Sequence, residues 1–495
     1  MVKRASGWFI QGQSWDADDK RPWRQRVHTR VLAAIQEGQL PAGSRLPSAR
    51  QLAHEWGIAR GTIDDAFAQL QADGLIERRV GQGSFVAQRV PRAAPLPPAP
   101  RREPNAATLR VLQRLQTITD DPADGPLHQQ RGLRLRPQVG DISHFPLELW
   151  RRLVAQAYQE AQRERLSYGA AAGTAELRAA TARHLALTRS LQCSPRQVLI
   201  VHSALHAFEL ISQVLLAPGD DVVVGDPNHV STPRFFNLMH AQVHGAPVDH
   251  DGLDVHAAQR LVPRPAAVVV QPATHYPTGA QMSAERRQEL LAWAGRCGAW
   301  IIEHEFLGEI AYTSHNPAPL LAQDRHECVL YTGSFNSSMF PSLRLSYLVV
   351  PERLCQAFAA VRGMLGDHCS VGLQLALAQF IDEGHLAVHV RMLRQLYRGR
   401  RDALWRALAA SPVLGAGAVA VRSGLNICTT LPPGLADQAL LPALAARGIA
   451  PLALSAHEWQ QPRRNGLVLG FGADDETQIG EAVAHIAQLV EARLR

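Results

Sequence analysis

Lysine is almost absent from this chain of 495 residues, in which Lys3 and Lys20 are the only two. A cofactor held through an imine to a lysine amine is therefore excluded beyond residue 20. The six cysteines are scattered and form no CxxC pair, which argues against a zinc ribbon or a disulfide framework. Because the sequence has no run of about 18 apolar residues and no apolar leader, we expect a cytoplasmic protein without a membrane span.

Hydrophobic residues make up 46% of the chain and charged residues 19%, a balance typical of globular domains. A chain of this length exceeds what one hydrophobic core usually supports, so we expect more than one folding unit. Residues 1–92 carry 14 Lys and Arg against 9 Asp and Glu, and hence +5 of the net charge of +7. This basic N-terminal region favours a nucleic-acid partner.

The N-terminal region predicts three short helices. Apolar residues recur with a helical period over 23–37 and again over 62–74. Between these segments, Ser48 is followed three residues later by Gln51, the spacing of a capping box, which predicts a helix over 49–56. The short connection between the second and third helices is typical of a helix-turn-helix.

A hairpin and a linker follow the helices. Two short strands are predicted over 75–79 and 84–87, joined by a glycine-rich turn that would form a wing. Residues 88–104 contain six prolines and no apolar period, which indicates a stiff extended linker. The predicted organisation is a DNA-binding domain, a linker and a large C-terminal domain over 20–88, 89–129 and 130–495.

The large domain alternates helical patterns with short apolar runs rich in β-branched residues. This alternation predicts an α/β fold with a central, mostly parallel sheet. The predicted strands lie at 198–201, 222–224, 267–270, 300–302 and 345–350.

The segment LPSARQLAHEWGIARGTIDDAFAQLQADGLIERRVGQGSFVA at 46–87 resembles the winged helix-turn-helix of the GntR family. The resemblance implies double-stranded promoter DNA as the partner. It assigns the contacts to one group of residues: Arg45, Ser48, Arg50, Arg60, Gly61, Thr62, Gly81 and Gly83.

Elementary physics supports these roles. A helix N-terminus attracts phosphate, and an arginine can fork onto guanine in the major groove, so we predict that Arg60 reads bases. Arg45 and Arg50 are expected to contact phosphate and fix the register. The sequence departs from the family in two ways. A hydroxyl residue is replaced by Ala59, and Asp64 and Asp65 add negative charge that favours the helix dipole but opposes DNA phosphate.

The rest of the chain resembles the MocR subfamily, in which a GntR-type head is joined to a fold-type I aminotransferase-like domain. Several segments carry this resemblance in order along the domain. They include SYGAAAGTAELRAA at 167–180, LLAPGDDVVVGDP at 215–227, HYPTGAQMS at 275–283 and GSFNSSMFPSLRLSYLVVP at 333–351. The resemblance implies a pocket built for pyridoxal phosphate.

That pocket has lost its covalent chemistry. The resemblance places the family's cofactor-binding lysine at Ser337, its pyridine-binding aspartate at His304 and its tyrosine at Phe306. It places the ring-stacking aromatic at His229 and a polar strand residue at Thr274. A hydroxyl cannot form an imine, so transamination is not expected.

The anion side of the same pocket is retained. Arg344 lies seven residues beyond Ser337, the family's spacing for its phosphate arginine, and Ser334 and Asn336 are kept. We expect these three side chains to donate hydrogen bonds to a phosphate or carboxylate. The phosphate turn has changed to His-Ser-Ala-Leu-His at 202–206. The pocket therefore either binds pyridoxal phosphate without a covalent link, binds another anionic metabolite, or is a relic that serves dimerisation.

Three hypotheses of function stay open at this point. The first is a homodimeric transcription regulator whose large domain senses a small molecule. The second is a pyridoxal phosphate-dependent aminotransferase with an accessory head, and the third is a DNA-binding scaffold without a ligand. We predict no catalytic residue, and we predict no metal site because the two i, i+4 histidine pairs, at 202 and 206 and at 385 and 389, have no evident third ligand.

Overall fold

The structure is a computed structural model. It describes residues 15–16, 18–88, 105–106, 108–109, 111–112, 132–160, 169–313, 316–366, 368–415, 418, 421–459 and 464–495. The chain divides into two compact units, Met1–Pro104 and Asn105–Arg495. Most of the linker predicted over 89–129 lies outside the described residues, so its bounds and those of the two domains remain predictions.

The N-terminal unit consists of three helices and a hairpin. Its elements are α1 (Trp23–Gln36), α2 (Ala49–Trp56), α3 (Arg60–Ala72), β1 (Ile76–Arg79) and β2 (Gly83–Val86). The two strands pair antiparallel, with Ile76 opposite Val86. Val31, Leu52, Ile63, Phe67 and Leu70 are almost fully buried in one apolar core. The predicted apolar period therefore does face a core, and both strands begin within one residue of their predicted positions.

The cap of α2 differs from the prediction. The Ser48 hydroxyl accepts a hydrogen bond from the backbone N–H of Gln51, as a capping box requires. The side chain of Gln51 does not reach back to the cap and donates instead to Glu55, one turn later. Gly57 then ends α2 in the left-handed conformation with a φ of 66°, which a glycine adopts without strain.

The large unit is built on an eight-stranded sheet in the order β3-β10-β9-β8-β7-β4-β5-β6. Its strands are β3 (Val198–Val201), β4 (Asp221–Asp226), β5 (Gln242–Asp249), β6 (Gly252–Leu253), β7 (Ala267–Val270), β8 (Trp300–His304), β9 (Val329–Ser334) and β10 (Ser346–Val349). The central neighbours from β9 to β5 are parallel, whereas β10 and β6 run antiparallel to their neighbours. The predicted α/β class with a mostly parallel sheet is confirmed.

Both faces of this sheet are covered, which explains the continuous apolar runs in the sequence. Along β7, Ala267 and Val269 belong to one apolar cluster, whereas Val268 and Val270 belong to another. Successive side chains of a strand point to opposite faces, so a strand covered on both sides carries no polar alternation.

Helices and a small second sheet complete the large unit. The helices are α4 (Leu147–Glu160), α5 (Ala175–Arg189), α6 (Ala204–Leu215), α7 (Ser231–Leu238), α8 (Val255–Leu261), α9 (Ala284–Cys297), α10 (Cys355–Leu365), α11 (Val371–Asp382), α12 (His385–Ala409), α13 (Leu441–Ala445) and α14 (Glu476–Leu494). The small antiparallel sheet contains β11 (Asn426–Thr430), β12 (Leu452–Ala453) and β13 (Gly466–Gly470). None of the helices in the described part of the chain is long and apolar enough to span a membrane.

Candidate functional site

The predicted DNA-contacting residues lie at the surface of the N-terminal unit. Every one of them is exposed except Thr62, which is half-buried. Arg60 is the first residue of α3, and Ala59 at the N-cap offers no side-chain hydrogen bond to the first turn. The start of α3 therefore presents backbone N–H groups without a side-chain cap, beside an arginine whose side chain is 70% exposed.

Asp64 lies close to the predicted DNA contact Arg60 and to a second arginine, Arg78. Its carboxylate lies 3.4 Å from Nε of Arg60, one turn earlier in α3, and 3.6 Å from Nη2 of Arg78 in β1. Arg78 also donates to the backbone carbonyl of Asp64 at 2.9 Å. All three side chains are partly exposed, so these pairs are weak and a phosphate or a base edge can displace the carboxylate.

Arg45 lies against the wing. A Cβ atom added at Gly83 would meet the Arg45 guanidinium at 3.3 Å, and the φ of Gly83 is 102°. Both constraints favour glycine at this position. The backbone of Arg45 forms an isolated antiparallel β-bridge with Phe85 of β2. This pairing places the predicted phosphate contact beside the wing.

The former cofactor pocket lies at the carboxyl ends of β3, β8 and β9, where loops from the parallel sheet meet. It has a volume of about 280 Å³. Six of the eight predicted pocket residues line it: His304, Phe306, Ser334, Asn336, Ser337 and Arg344. A cavity of this size suits a small metabolite.

Ser334 and Asn336 hold the pocket loop in place. The Asn336 amide donates to the carbonyl of His202 at 3.1 Å and to the hydroxyl of Ser346 at 3.2 Å, and its oxygen accepts from the N–H of Leu345 at 2.7 Å. The Ser334 hydroxyl accepts from Asn336 N–H and from Ser346. Because both amide hydrogens of Asn336 are engaged within the fold, this geometry does not support the prediction that Asn336 donates to a ligand.

Arg344 is the cation of the pocket. It is exposed, it adopts a left-handed backbone conformation with a φ of 54°, and among the described residues it is the only arginine that lines the pocket. No carboxylate of the described residues lies within ion-pair distance of its guanidinium, so an internal salt bridge does not account for this side chain. Its charge is available to an anionic group of a ligand.

His304 is a neutral side chain at neutral pH. Burial, with a smaller contribution from the nearby His229, lowers the pKa of His304 to about 4. Within the described part of the chain, Nδ1 of His304 is buried without a hydrogen-bond partner. A neutral imidazole cannot supply the anionic partner that a protonated pyridine nitrogen requires.

Two predicted pocket residues lie outside the lining. The ring of His229 lies 5.4 Å from that of Tyr276 and is tilted against it, and its Nδ1 is 2.7 Å from the Ser231 hydroxyl. The Thr274 hydroxyl contacts that of Ser423. Neither side chain lines the pocket as the described residues form it.

One wall of the pocket was not predicted. It is formed by Gln138, Gly140, Asp141 and Ile142, which precede the first helix of the large unit. The Asp141 carboxylate pairs with Arg400 at 2.7 Å, and both side chains are more than 90% buried. Although burial alone would raise the pKa of Asp141, hydrogen bonds from Ser143 and Arg400 hold it well below its usual range. Asp141 is therefore a structural anion, and a ligand cation would have to compete with Arg400 for its carboxylate.

The residues present do not fit a covalently held pyridoxal phosphate. Ser337, the position that the resemblance assigns to the lysine, has a hydroxyl, and no lysine occurs beyond residue 20. His304 is neutral, and Phe306 has no hydroxyl for the cofactor ring. Among the described lining residues, Arg344 is the one positively charged partner for the phosphate of the cofactor.

Comparison with known proteins identifies both units. Residues 138–461 match the family described as aminotransferase class I and II. Residues 24–86 match the family described as bacterial regulatory proteins, gntR family. The first match covers more than half of the chain.

Relatives combine the two units in the same way. The probable rhizopine catabolism regulatory protein MocR of Rhizobium meliloti is 28% identical over 469 residues, which cover 94% of each chain. The HTH-type pyridoxine biosynthesis transcriptional regulator PdxR of Corynebacterium glutamicum is also 28% identical, over 93% of this chain and 94% of its own. A kynurenine aminotransferase of Pyrococcus horikoshii, crystallised with PMP, shares the fold with a TM-score of 0.69 and 24% identity, over 79% of this chain and 96% of its own. The chain therefore belongs to the class I and II aminotransferase family, carries a GntR-family DNA-binding domain before it, and is a transcription regulator of the MocR type.

Proposed function

We propose that this protein is a cytoplasmic, sequence-specific regulator that binds promoter DNA as a homodimer and senses a small anionic metabolite in its former cofactor pocket. The metabolite is held without a covalent bond, and the large domain has no transaminase activity. The observation that carries the proposal is the Arg344 guanidinium, which lines a pocket of about 280 Å³ without an internal carboxylate partner in the described structure.

The proposed regulation follows from differential affinity. An effector changes DNA binding only if it binds one arrangement of the heads and large domains more tightly than another. A homodimer would place two recognition helices on two half-sites of one operator. The DNA-binding role is supported by the relatives, which are named HTH-type transcriptional regulators.

The test of DNA recognition is a gel-shift titration of the full chain with DNA from upstream of its own gene, at one fixed salt concentration. The expected affinity for the operator is at least ~10³-fold higher than that for random DNA of the same length. A probe with only one half-site should bind more weakly. Equal affinity for the upstream DNA and for random DNA would contradict the proposal.

Pyridoxal phosphate is expected to leave the protein on desalting. Without an imine, phosphate contacts through Arg344 alone give weak and reversible binding. The measurement is the absorbance of the cofactor after gel filtration, followed by borohydride reduction and peptide mapping. The Ser337→Lys variant is the matched control, because it restores an amine to the pocket and should give a reduced pyridoxyl adduct at residue 337. Stoichiometric cofactor on the desalted wild-type protein would show that our interpretation of the pocket is wrong.

A further inference from the structure

A second and larger cavity lies at the same carboxyl edge of the main sheet, next to the ends of β5 and β7. Its volume is about 860 Å³, and it shares no described lining residue with the former cofactor pocket. Its wall comes from distant parts of the large unit: 248–251, 278–284, 317–318, 421–422, Arg287, Gln323 and Arg464. We call it the arginine cavity, after the three arginines in its wall.

The first of these arginines, Arg287 in α9, is only 3% exposed. It joins two parts of the wall, because its Nε donates to the carbonyl of Met282 at 3.1 Å and its Nη1 donates to the carbonyl of Ala318 at 2.8 Å. Its third nitrogen, Nη2, is buried and has no hydrogen-bond partner among the described residues. A buried donor without an acceptor is costly, and an anionic group bound nearby would reduce that cost.

The other two arginines also bind only neutral oxygens. Arg422 donates to the side-chain oxygen of Gln281 at 3.1 Å, and Arg464 donates to the backbone carbonyl of Val248. These contacts fix the guanidinium groups in the wall but leave their charge uncompensated.

Few carboxylates among the described residues line the arginine cavity. In the part of the chain that the structure describes, no carboxylate forms an ion pair with Arg287, Arg422 or Arg464. Asp249 also lines the cavity, but Arg286 binds it with two hydrogen bonds of 2.5 and 2.6 Å. Asp251 is then the one lining acid in these residues without an arginine partner, against three arginines.

The arrangement differs from the arginines elsewhere in the large unit, several of which are paired with carboxylates. Arg189 binds Glu305, Arg400 binds Asp141, and Arg183 binds Asp382. Arg287 lies in the field of the buried Glu303 and Glu305 carboxylates, but among the described residues no carboxylate pairs with Arg422 or Arg464. Two guanidinium groups that bind only neutral oxygens, beside a third that is buried, point to an anion that the chain itself does not supply.

The rest of the wall suits a carbon skeleton. Apolar residues also line the cavity: Val248, Ala280, Met282, Pro317, Ala318 and Val421. The volume lies within the range of metabolite sites. We propose that the arginine cavity binds an organic metabolite with two or more acidic groups, carboxylates or phosphates, independently of the former cofactor pocket.

Calorimetric titration of the full chain at constant ionic strength tests this proposal with two probes. Citrate represents the carboxylates, and fructose 1,6-bisphosphate represents the phosphates. We expect saturable binding of at least one probe, with one site per chain. Removing two guanidinium groups in the Arg422→Ala/Arg464→Ala variant should weaken that binding by about 10-fold or more.

Two further variants give the controls. Arg260→Ala/Arg325→Ala removes the same number of charges from exposed positions outside the cavity, and it should change the affinity by less than about twofold. Arg287→Lys keeps the buried charge but loses the fork, and it should also weaken binding. No saturable binding of either probe would overturn the proposal, as would a loss of binding in Arg344→Ala, which would place the probe in the former cofactor pocket. Operator binding by the wild-type chain is measured separately, so failure here leaves the proposed function standing.

Discussion

The Arg189→Met variant is expected to lose about 3–5 kcal/mol of the free energy of unfolding of the large unit. Arg189 binds both oxygens of Glu305, at 2.6 and 2.8 Å, and the two side chains are only 2% and 5% exposed. Removing the guanidinium leaves the Glu305 carboxylate buried without its counter-charge. Glu305 lies between His304 and Phe306, which both line the former cofactor pocket. The Arg189–Glu305 pair therefore also fixes the end of β8 at this pocket.

Hydrogen exchange of the β8 amides is the appropriate measurement, because the chain has two units and does not unfold as one two-state system. The matched control is Arg183→Met. Arg183 binds Asp382 at 2.7 Å, but these side chains are 57% and 44% exposed, so the expected loss is only about 0–1 kcal/mol.

The double variant Arg189→Met/Glu305→Leu separates the cost of an unpaired charge from the value of the pair. Apolar replacements of a buried pair are often nearly neutral, so the double variant should recover most of the lost stability. A double variant as unstable as Arg189→Met would show instead that packing around this position, and not the unpaired carboxylate, determines stability.

The N-terminal unit was predictable almost in full, because its elements depend on neighbours in sequence. The apolar period over 62–74 predicts the core face of α3, which begins and ends two residues earlier, and glycine at position 57 marks the end of α2. The predicted capping box is confirmed for the Ser48 hydroxyl, which accepts from the Gln51 N–H, and was wrong for the Gln51 side chain. The competing partner, Glu55, lies one turn away on the same helix face, and a side-chain amide gains as much from it as from the cap.

Five of the eight strands of the main sheet were predicted as apolar runs, since a strand covered on both faces carries no polar alternation, whereas β5, β6 and β9 were not predicted. The strand order was not predictable, because it depends on crossovers between strands that are distant in sequence. The same limit applies to the pocket. Motif positions located Ser337, His304 and Arg344, but they did not reveal that the Asn336 amide is engaged by the carbonyl of His202, 134 residues away.

The arginine cavity could not be predicted from the sequence. Its wall comes from separate segments, and each of its arginines resembles any surface arginine when it is viewed alone. What distinguishes Arg422 and Arg464 is that, in the described structure, they have neutral oxygens and no carboxylate as partners, and a single sequence gives no information on such distances. The buried wall around Asp141 was missed for the same reason, since its partner Arg400 lies 259 residues later.

The Arg60→Ala variant is expected to bind the operator about 10–100-fold more weakly than the wild type, with a much smaller loss on random DNA. Arg60 begins the recognition helix α3, its side chain is 70% exposed, and a guanidinium can bind both acceptors of a guanine edge. The measurement is the ratio of operator to random-DNA affinity at one salt concentration. Arg60→Lys keeps the charge but not the fork, so it should retain random-DNA binding and lose most of the discrimination.

Asp64→Asn gives the opposite test at the same site. The Asp64 carboxylate lies within 3.6 Å of both Arg60 and Arg78. Replacing it by an amide releases both arginines and removes a negative charge that we expect to oppose DNA phosphate. We expect a few-fold gain in affinity for operator and random DNA alike, together with a steeper salt dependence. If Arg60 reads bases, the combined variant Arg60→Ala/Asp64→Asn should recover random-DNA affinity but not discrimination, because charge alone carries no sequence information. Recovery of discrimination in that variant would assign base recognition to another residue and leave Arg60 a phosphate contact.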